Sequence, residues 1–326
     1  MKTFALAFAF LLALPAAGQT SRLGSYTATV TPTGGAQRAG EFNSVRVGVA
    51  DKAGAEIYSV SKQIPFDVPF PSAGVFESGH LMLIYGFDGF IEFYDQHGVL
   101  LSTLRPLKDA RPEHERNVAA AVHDSIAALL VSKPGKDGCT LLTVSDRGDV
   151  LNETRVDGSS SSGIAISNSG SLIAAGTRRW EGSVVEEETQ FVTSAGILRG
   201  SAQAGFVNGE FSPDDAFFLG WTNRVASTVD VGKIKIVATL AADEGKMILK
   251  GVWNGPDAVV LSASNPTLQQ GSWVYRHPVL RSLTPTGLVK LLQDVPSAEF
   301  TSAKLEPFGD QVVLKLETAV RRSRKR

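Results

Sequence analysis

Two kinds of hairpin alternate along this chain. In the first kind, an apolar strand leads into a polar turn closed by glycine, and the next strand alternates apolar and polar residues. The six copies have their turn glycines at Gly54, Gly98, Gly148, Gly196, Gly232 and Gly287. The spacings are 44, 50, 48, 36 and 55 residues. Repeats of about 40–50 residues that contain only short strands are typical of a β-propeller.

The second kind of hairpin has a sharp turn followed by a nearly continuous apolar strand. Its turns fall at Gly79, Ser125, Gly170, Asp215, Asp257 and Asp310. An unbroken apolar run predicts a strand that is buried on both faces. We therefore expect these hairpins in the inner part of each propeller blade, with the alternating strands in the half-solvated outer part.

The phase of the two repeats predicts how the propeller closes. The first outer hairpin, Ser44–Val60, follows no inner hairpin, and the last inner hairpin, Ser302–Glu317, precedes no outer one. Joining them gives an all-β, six-bladed propeller closed by a composite blade from both termini. A strand-like segment at Ser25–Pro32 leaves seven blades as the alternative. The remaining five blades are predicted near 72–104, 117–156, 162–204, 207–241 and 249–293.

Some turn sequences resemble those of a known group. The segment FSPDD at Phe211–Asp215 resembles the FSPDG-type turn of bacterial TolB-like propellers, and ISNSG at Ile166–Gly170 and WNGPD at Trp253–Asp257 are weaker versions. The Trp-Asp pair of WD repeats does not occur in the sequence. The resemblance implies a member of the broad WD-repeat-like propeller superfamily. It implies no particular activity, because propellers include scaffolds, binding proteins and enzymes.

The N-terminus predicts export. Lys2 precedes the apolar run Phe4–Leu14, and small residues follow at Pro15–Gly18. This pattern indicates a signal peptide over residues 1–18 and a periplasmic or secreted protein, since an apolar run of this length is too short to span a bilayer. The propeller domain is predicted over 19–318.

A basic tail is predicted over residues 319–326. Its cations are Arg321, Arg322, Arg324, Lys325 and Arg326. They suit weak contact with an anionic membrane surface. A solvated tail beyond the last strand is the alternative interpretation.

Composition and single residues exclude several classes. There are 32 Lys and Arg against 33 Asp and Glu, and this balance predicts no binding to nucleic acid. Cys139 is the only cysteine, so an internal disulfide is excluded, and its apolar strand predicts a buried core residue. The five histidines show no H-x-x-x-H spacing. No metal site, cofactor or catalytic residue is predicted.

The candidate binding residues cluster in loops predicted on one face. Three tryptophans lie in or beside the loops that follow the second strand of their blades, and charged residues lie in neighbouring loops. The candidates are Trp180, Trp221, Trp273, Asp88, His114, Arg178 and Arg224. Aromatic residues flanked by arginines suit a protein, peptide or glycan partner. Alternatively, each tryptophan covers the hydrophobic edge of its blade. Trp253 matches core positions of the repeat and is predicted to be buried.

These patterns predict an exported propeller that acts as a protein- or ligand-binding or scaffolding module. The alternative is a propeller hydrolase or lyase whose polar residues converge at the central channel, with Asp88, His114, Arg178 and Arg224 as the candidates. A purely structural ring is a third interpretation.

Overall fold

The computed structural model describes residues 20–23, 25–34, 42–65, 70–85, 90–106, 117–132, 138–181, 183–269, 272–309 and 311–317. Every regular element in these ranges is a β-strand. No helix in the described ranges has the length and apolar character needed to cross a membrane. The predicted signal peptide and basic tail lie outside the described residues and stay predictions.

Within the ranges given above, six sheets contain four antiparallel strands each. Numbered in chain order, the strands of the first three sheets are β1 (Thr20–Leu23), β2 (Tyr26–Gly34), β3 (Phe42–Ala50) and β4 (Glu56–Pro65) in sheet 1; β5 (Ser72–Val75), β6 (Leu81–Tyr85), β7 (Phe90–Tyr94) and β8 (Leu100–Leu104) in sheet 2; and β9 (Asn117–His123), β10 (Ile126–Ser132), β11 (Cys139–Ser145) and β12 (Val150–Val156) in sheet 3.

The next three sheets continue the series. Their strands are β13 (Ser160–Ile166), β14 (Leu172–Glu181), β15 (Val184–Thr193) and β16 (Leu198–Ala202) in sheet 4; β17 (Asn208–Phe211), β18 (Phe217–Trp221), β19 (Val225–Asp230) and β20 (Lys235–Ala241) in sheet 5; and β21 (Lys246–Asn254), β22 (Asp257–Ser264), β25 (Val279–Leu283) and β26 (Val289–Asp294) in sheet 6.

The remaining strands form two smaller sheets. A three-stranded insert contains β23 (Thr267–Gln269), β24 (Ser272–Arg276) and β27 (Glu299–Phe300), and a C-terminal hairpin contains β28 (Ser302–Phe308) and β29 (Gln311–Glu317).

Burial follows the predicted pattern. All five residues of β6, Leu81–Tyr85, are buried, as are the last six residues of β10. The outer strand β12 has only its last residue, Val156, buried. The continuous apolar runs therefore lie inside the molecule and the alternating strands at its outside, because a strand flanked by two other sheets must be apolar on both faces.

In the described part of the chain, the core consists of six separate hydrophobic clusters, and each one joins two successive sheets. Representative pairs, in chain order, are Val47 with Leu83, Phe93 with Leu129, Leu130 with Ile173, Phe191 with Phe218, Leu219 with Val260, and Leu261 with Leu305. Sheets stacked in this way bury apolar surface on both sides, which is the packing of propeller blades.

The strand pairing corrects the predicted composite blade. The segment Ser25–Pro32 lies largely in β2, which pairs with β3 in the register Val30 opposite Val47. Ala28 and Val30 are 0% and 3% exposed, so β2 belongs to the core of sheet 1. Sheet 1 thus has four strands from the N-terminal part of the chain, and among the described residues the strands of the hairpin Ser302–Glu317 pair only with one another.

The two ends of this series of sheets present polar faces. Arg46 on β3 forms an ion pair with Glu56 on β4. On the C-terminal hairpin, Lys315 pairs with Glu306, and both side chains are about half exposed. The clusters described above join seven sheets through six apolar interfaces, and within the described residues none joins the last hairpin to sheet 1.

Candidate binding face

The connections of each sheet lie at two opposite ends. In an antiparallel sheet, the link from the second to the third strand lies at the same end as the link from the fourth strand to the next sheet. We call this end the loop face and the other the turn face. Trp180, Trp221, Arg224 and Arg178 lie at the loop face of sheets 4 and 5. Asp88 and His114 lie outside the described residues.

The hairpin formed by β14 and β15 has an exposed apolar tip. Both strands are ten residues long, and Trp180 lies opposite Val185 near their ends. Trp180 is 62% exposed, Val184 59% and Val185 39%. Arg179 and Glu186, opposite one another next to the tip, are also exposed. The tip is therefore an apolar surface with charged neighbours.

The base of this hairpin is hydrogen-bonded to residues 157–159, which link sheet 3 to sheet 4. Arg178 Nε donates to Glu187 Oε1 at 2.7 Å. Gln190, which is buried, donates through Nε2 to the carbonyl of Asp157 at 2.7 Å and accepts at Oε1 from the Asp157 backbone N–H at 3.1 Å. The backbone N–H of Ser159 donates to the Arg178 carbonyl at 2.7 Å. Arg178, predicted to bind, thus has a role in holding the hairpin.

Trp221 is buried, in contrast to Trp180. It is 9% exposed and belongs to the cluster between sheets 5 and 6. Its ring lies against Gly251 of β21, where a Cβ would come within 3.2 Å of Cε3. The prediction of a surface tryptophan is corrected here, because the neighbouring sheet covers the ring. Trp253 is buried as predicted, and its Nε1 donates to the carbonyl of Glu210 at 2.9 Å.

Trp273 lies in an element that the sequence pattern did not predict. Trp273 is predicted in or beside a loop, but β23 and β24 form a hairpin in which Trp273 lies opposite Leu268. Leu268 is 62% exposed, whereas Trp273 is half-buried. Tyr275 stacks on Phe300 with ring centroids 5.5 Å apart. The segment has only a short alternation of polar and apolar residues, so its strands depend on these tertiary contacts.

Charged side chains surround the loops between sheets 5 and 6. Arg281 Nη2 donates to Asp243 Oδ2 at 2.8 Å, and Lys246 Nζ lies 3.5 Å from the same oxygen. The hydrogen bond from Arg281 is the main reason that the pKa of Asp243 lies below its usual range. Arg281 is not among the candidate residues predicted from the sequence. A cation within the otherwise largely apolar strand VLRSL could have indicated it.

The loop backbones at this place are tied to one another. The carbonyl of Arg224 accepts from the N–H of Ala242 at 2.7 Å, and that of Asn223 accepts from Ile248 at 2.9 Å. The Arg224 side chain is exposed. These bonds hold the loop after β18 against the segment that enters sheet 6, so Arg224 has a defined position at the loop face.

The first strands of adjacent sheets carry charges of opposite sign. Glu210 on β17 lies near Lys250 on β21, whose positive charge favours the ionised carboxylate. Lys250 also acts on Glu306 of β28, whose pKa is lowered chiefly by a hydrogen bond from Lys315. The described part of the chain contains no group of three His, Cys, Asp or Glu side chains that could hold a metal ion.

Solved structures with a similar fold are β-propellers. A structure described as the Dos1 propeller aligns with a TM-score of 0.55 at 10% identity, over 91% of this chain and 88% of that one. The C-terminal WD40 domain of Sif2 aligns with 0.54 at 12% identity, over 93% and 76%. A chain in a mitotic checkpoint complex aligns with 0.52 at 13% identity, over 89% and 90%.

Sequence comparison finds no matching family model and no matching curated protein. The structural likeness therefore shows the fold. This chain is an all-β protein with a WD-repeat-like β-propeller fold, built from stacked antiparallel sheets.

Proposed function

We propose that this protein is an exported binding or scaffolding propeller that holds a protein partner on its loop face. The observation that carries the proposal is the apolar tip of the β14–β15 hairpin, where Trp180, Val184 and Val185 are exposed together. The N-terminal pattern at residues 1–18 supports export.

The tip has the composition of an interface anchor. Tryptophan is enriched among the residues that dominate binding energy, and a surrounding polar rim excludes water from such an anchor. Arg179 and Glu186 supply charges of both signs beside Trp180. We therefore expect the partner to offer an apolar pocket with mixed charges at its edge.

The hydrogen bonds at the base of the hairpin hold it in one conformation, so little conformational entropy is lost when a partner binds. The Arg178–Glu187 ion pair and the Gln190–Asp157 hydrogen bonds fix the strands below the tip. A rigid presentation avoids the entropy loss of ordering a loop on association. This distinguishes the hairpin from a solvated surface loop that carries a tryptophan by chance.

An affinity capture tests the proposal. Residues 19–326 would be the bait against envelope and secreted fractions of the source organism, and partners would be ranked by titration. We expect Trp180→Ala to lower the affinity for the captured partner by about tenfold or more.

Phe308→Ala is the matched control, because Phe308 is 76% exposed but lies at the turn face. It should leave binding unchanged. Equal affinity of Trp180→Ala and the unmodified chain, or the absence of a saturable partner, would overturn the proposal. Thermal unfolding of both variants checks that the fold is intact.

A further inference from the structure

Buried polar atoms without a hydrogen-bond partner are concentrated between two sheets. In the described part of the chain these atoms are Ser162 Oγ, Trp221 Nε1, Thr228 Oγ1, Ser262 Oγ, Arg281 Nη1 and Ser282 Oγ. Buried polar groups nearly always have a partner, so each exception calls for a physical reason. Four of these six atoms belong to the layer between sheets 5 and 6, as the strand register shows.

The register places Ser262 and Arg281 in that layer. Ser262 lies directly opposite Ile248, and Arg281 directly opposite Val260. Ile248 and Val260 both belong to the cluster that joins sheets 5 and 6. Directly opposed residues share a face of the sheet, so the two polar side chains point into the same layer.

The same argument applies to sheet 5. Thr228 lies opposite Leu219, a member of the cluster, and Trp221 is itself a member. A Cβ on Gly251 would lie 3.2 Å from Cε3 and 3.3 Å from Cζ3 of Trp221, so this edge of the indole faces Gly251. Nε1 is on the opposite edge of the indole, so this N–H points away from Gly251.

Two of these four unpartnered groups are only hydrogen-bond donors, and the other two are hydroxyls that can also donate. The indole N–H and the guanidinium can only donate, and a serine hydroxyl can do either. Lys246 adds an ammonium group, and the Lys246 side chain is only 17% exposed. Arg281 and Lys246 both contact the carboxylate of Asp243, and the adjacent Glu244 is exposed to solvent. Among the groups in mutual contact, two cations face one carboxylate, so the cluster has a shortage of acceptors, which suits an oxyanion.

At the loop face this layer comes close to solvent, although the four unpartnered atoms are themselves buried. Arg281 retains 20% of its side-chain exposure and contacts Asp243, which is 43% exposed. Backbone hydrogen bonds to the carbonyls of Arg224 and Asn223 hold the surrounding loops. The backbone around this end of the layer is therefore held in place by hydrogen bonds.

We propose that the loop-side end of the layer between sheets 5 and 6 binds a carboxylate group. Arg281 Nη1 and Lys246 Nζ neutralise its charge, while Trp221 Nε1 and Ser262 Oγ donate hydrogen bonds to its oxygens. The carboxylate comes from a small free acid or from an acidic residue of a peptide. This site does not use Trp180, so it goes beyond the function proposed for the hairpin.

Titration monitored by the indole N–H resonances tests the site. The probes are sodium succinate and an N-acetylated, C-amidated tetraglutamate peptide, with sodium chloride at equal ionic strength as the reference. The resonance of Trp221, assigned with Trp221→Phe, should shift and saturate at probe concentrations below about 50 mM. Saturation by succinate indicates a free acid as the source, and saturation by the peptide alone indicates a segment of a partner.

Variants separate binding from general charge effects. Arg281→Met should lower the affinity obtained from the titration by about tenfold or more. Lys246→Met provides the same test if Arg281→Met does not fold. Arg276→Met is the matched control, because Arg276 is half exposed and bonded to Glu299 in the insert. The proposal is overturned if neither probe shifts Trp221, if chloride shifts it equally, or if Lys246→Met and Arg281→Met bind as the unmodified chain does. Trp180→Ala should leave this titration unchanged, so a failure here is distinguishable from a failure of the hairpin proposal.

Discussion

Asp215 accepts hydrogen bonds from Asn168 and thereby joins the turns of sheets 4 and 5. The backbone N–H and the side-chain Nδ2 of Asn168 donate to Asp215 Oδ1 at 2.7 and 2.9 Å, and the N–H of Ser169 donates to Oδ2 at 2.8 Å. Desolvation alone would raise the pKa of Asp215, but these hydrogen bonds outweigh it and hold the pKa below its usual value.

We predict that Asp215→Asn destabilises the fold by about 1–3 kcal/mol at neutral pH, since it removes charge-assisted bonds. A depressed folded-state pKa stabilises above the unfolded pKa of about 3.9, and this contribution is lost as the pH falls through the folded value. Urea unfolding at a series of pH values gives the free energy of unfolding of both proteins. The difference between the two free energies should become smaller below about pH 4. Asp257→Asn, at the corresponding turn of sheet 6, is the control. A difference that is independent of pH would contradict the assignment.

Two turn glycines allow a matched test of packing between blades. Gly148 and Gly54 have φ values of +87° and +83°, so alanine is strained at both. A Cβ on Gly148 would lie 2.6 Å from Phe93 and also meet Ser102, whereas a Cβ on Gly54 meets nothing within 4 Å.

We therefore predict that Gly54→Ala costs about 1–2 kcal/mol from the backbone alone. Gly148→Ala should cost about 1–3 kcal/mol more, because the turn of sheet 3 packs against sheet 2. Chemical denaturation of both variants measures the two costs. If the two variants lost the same free energy of unfolding, the turn at Gly148 would not be packed against Phe93.

Cys139 provides a reactivity test. It is 1% exposed, and desolvation raises the pKa of its thiol to about 11. Since the thiolate is the reactive form, we expect no modification by a thiol reagent near pH 8 in the folded protein and rapid, stoichiometric modification in urea. Mass spectrometry of the labelled protein distinguishes the two. Rapid labelling of the folded chain would mean that sheet 3 opens readily.

Gln190 tests the anchoring of the binding hairpin. Its Nε2 donates to the Asp157 carbonyl and lies 3.2 Å from Thr177 Oγ1. Gln190→Glu would replace the donor by a buried carboxylate facing a carbonyl oxygen, and we expect a loss of about 2–4 kcal/mol at neutral pH.

Because the buried carboxylate is costly only when charged, the loss should diminish as the pH falls toward 4 to 5. Thermal unfolding at pH 5 and pH 8 measures this, with Gln63→Glu on the exposed strand β4 as the control. An unchanged stability for Gln190→Glu would mean that the hairpin base is not fixed by this amide.

The sequence predicted the local elements well because their signals are local. Apolar runs such as Leu81–Tyr85 lie in strands buried on both sides. The glycine turns at Gly54 and Gly148 have the positive φ that glycine tolerates. At Gly232 the local rule failed, since the left-handed residue of that turn is Ile234, with a φ of +51°.

The candidate site was only partly accessible from the sequence. Trp180 and Trp221 both lie near the end of the second strand of their sheets, yet one is 62% exposed and the other 9%. The difference arises because β14 and β15 extend beyond the ends of β13 and β16, whereas β21 covers the ring of Trp221. The sequence of a single repeat specifies neither how far a strand extends nor which residue of the next sheet covers a side chain.

The sequence by itself determined the all-β class, the repeat, the turns and the burial of Cys139 and Trp253, because each follows from residue type and short-range periodicity. The tertiary structure decided which strands pair at the two ends of the chain, and which tryptophan meets solvent. It also decided that Arg281 and Ser262 share a layer with Trp221. These relationships depend on strand register and on contacts between sheets far apart in sequence, which hydrophobic periodicity alone does not specify.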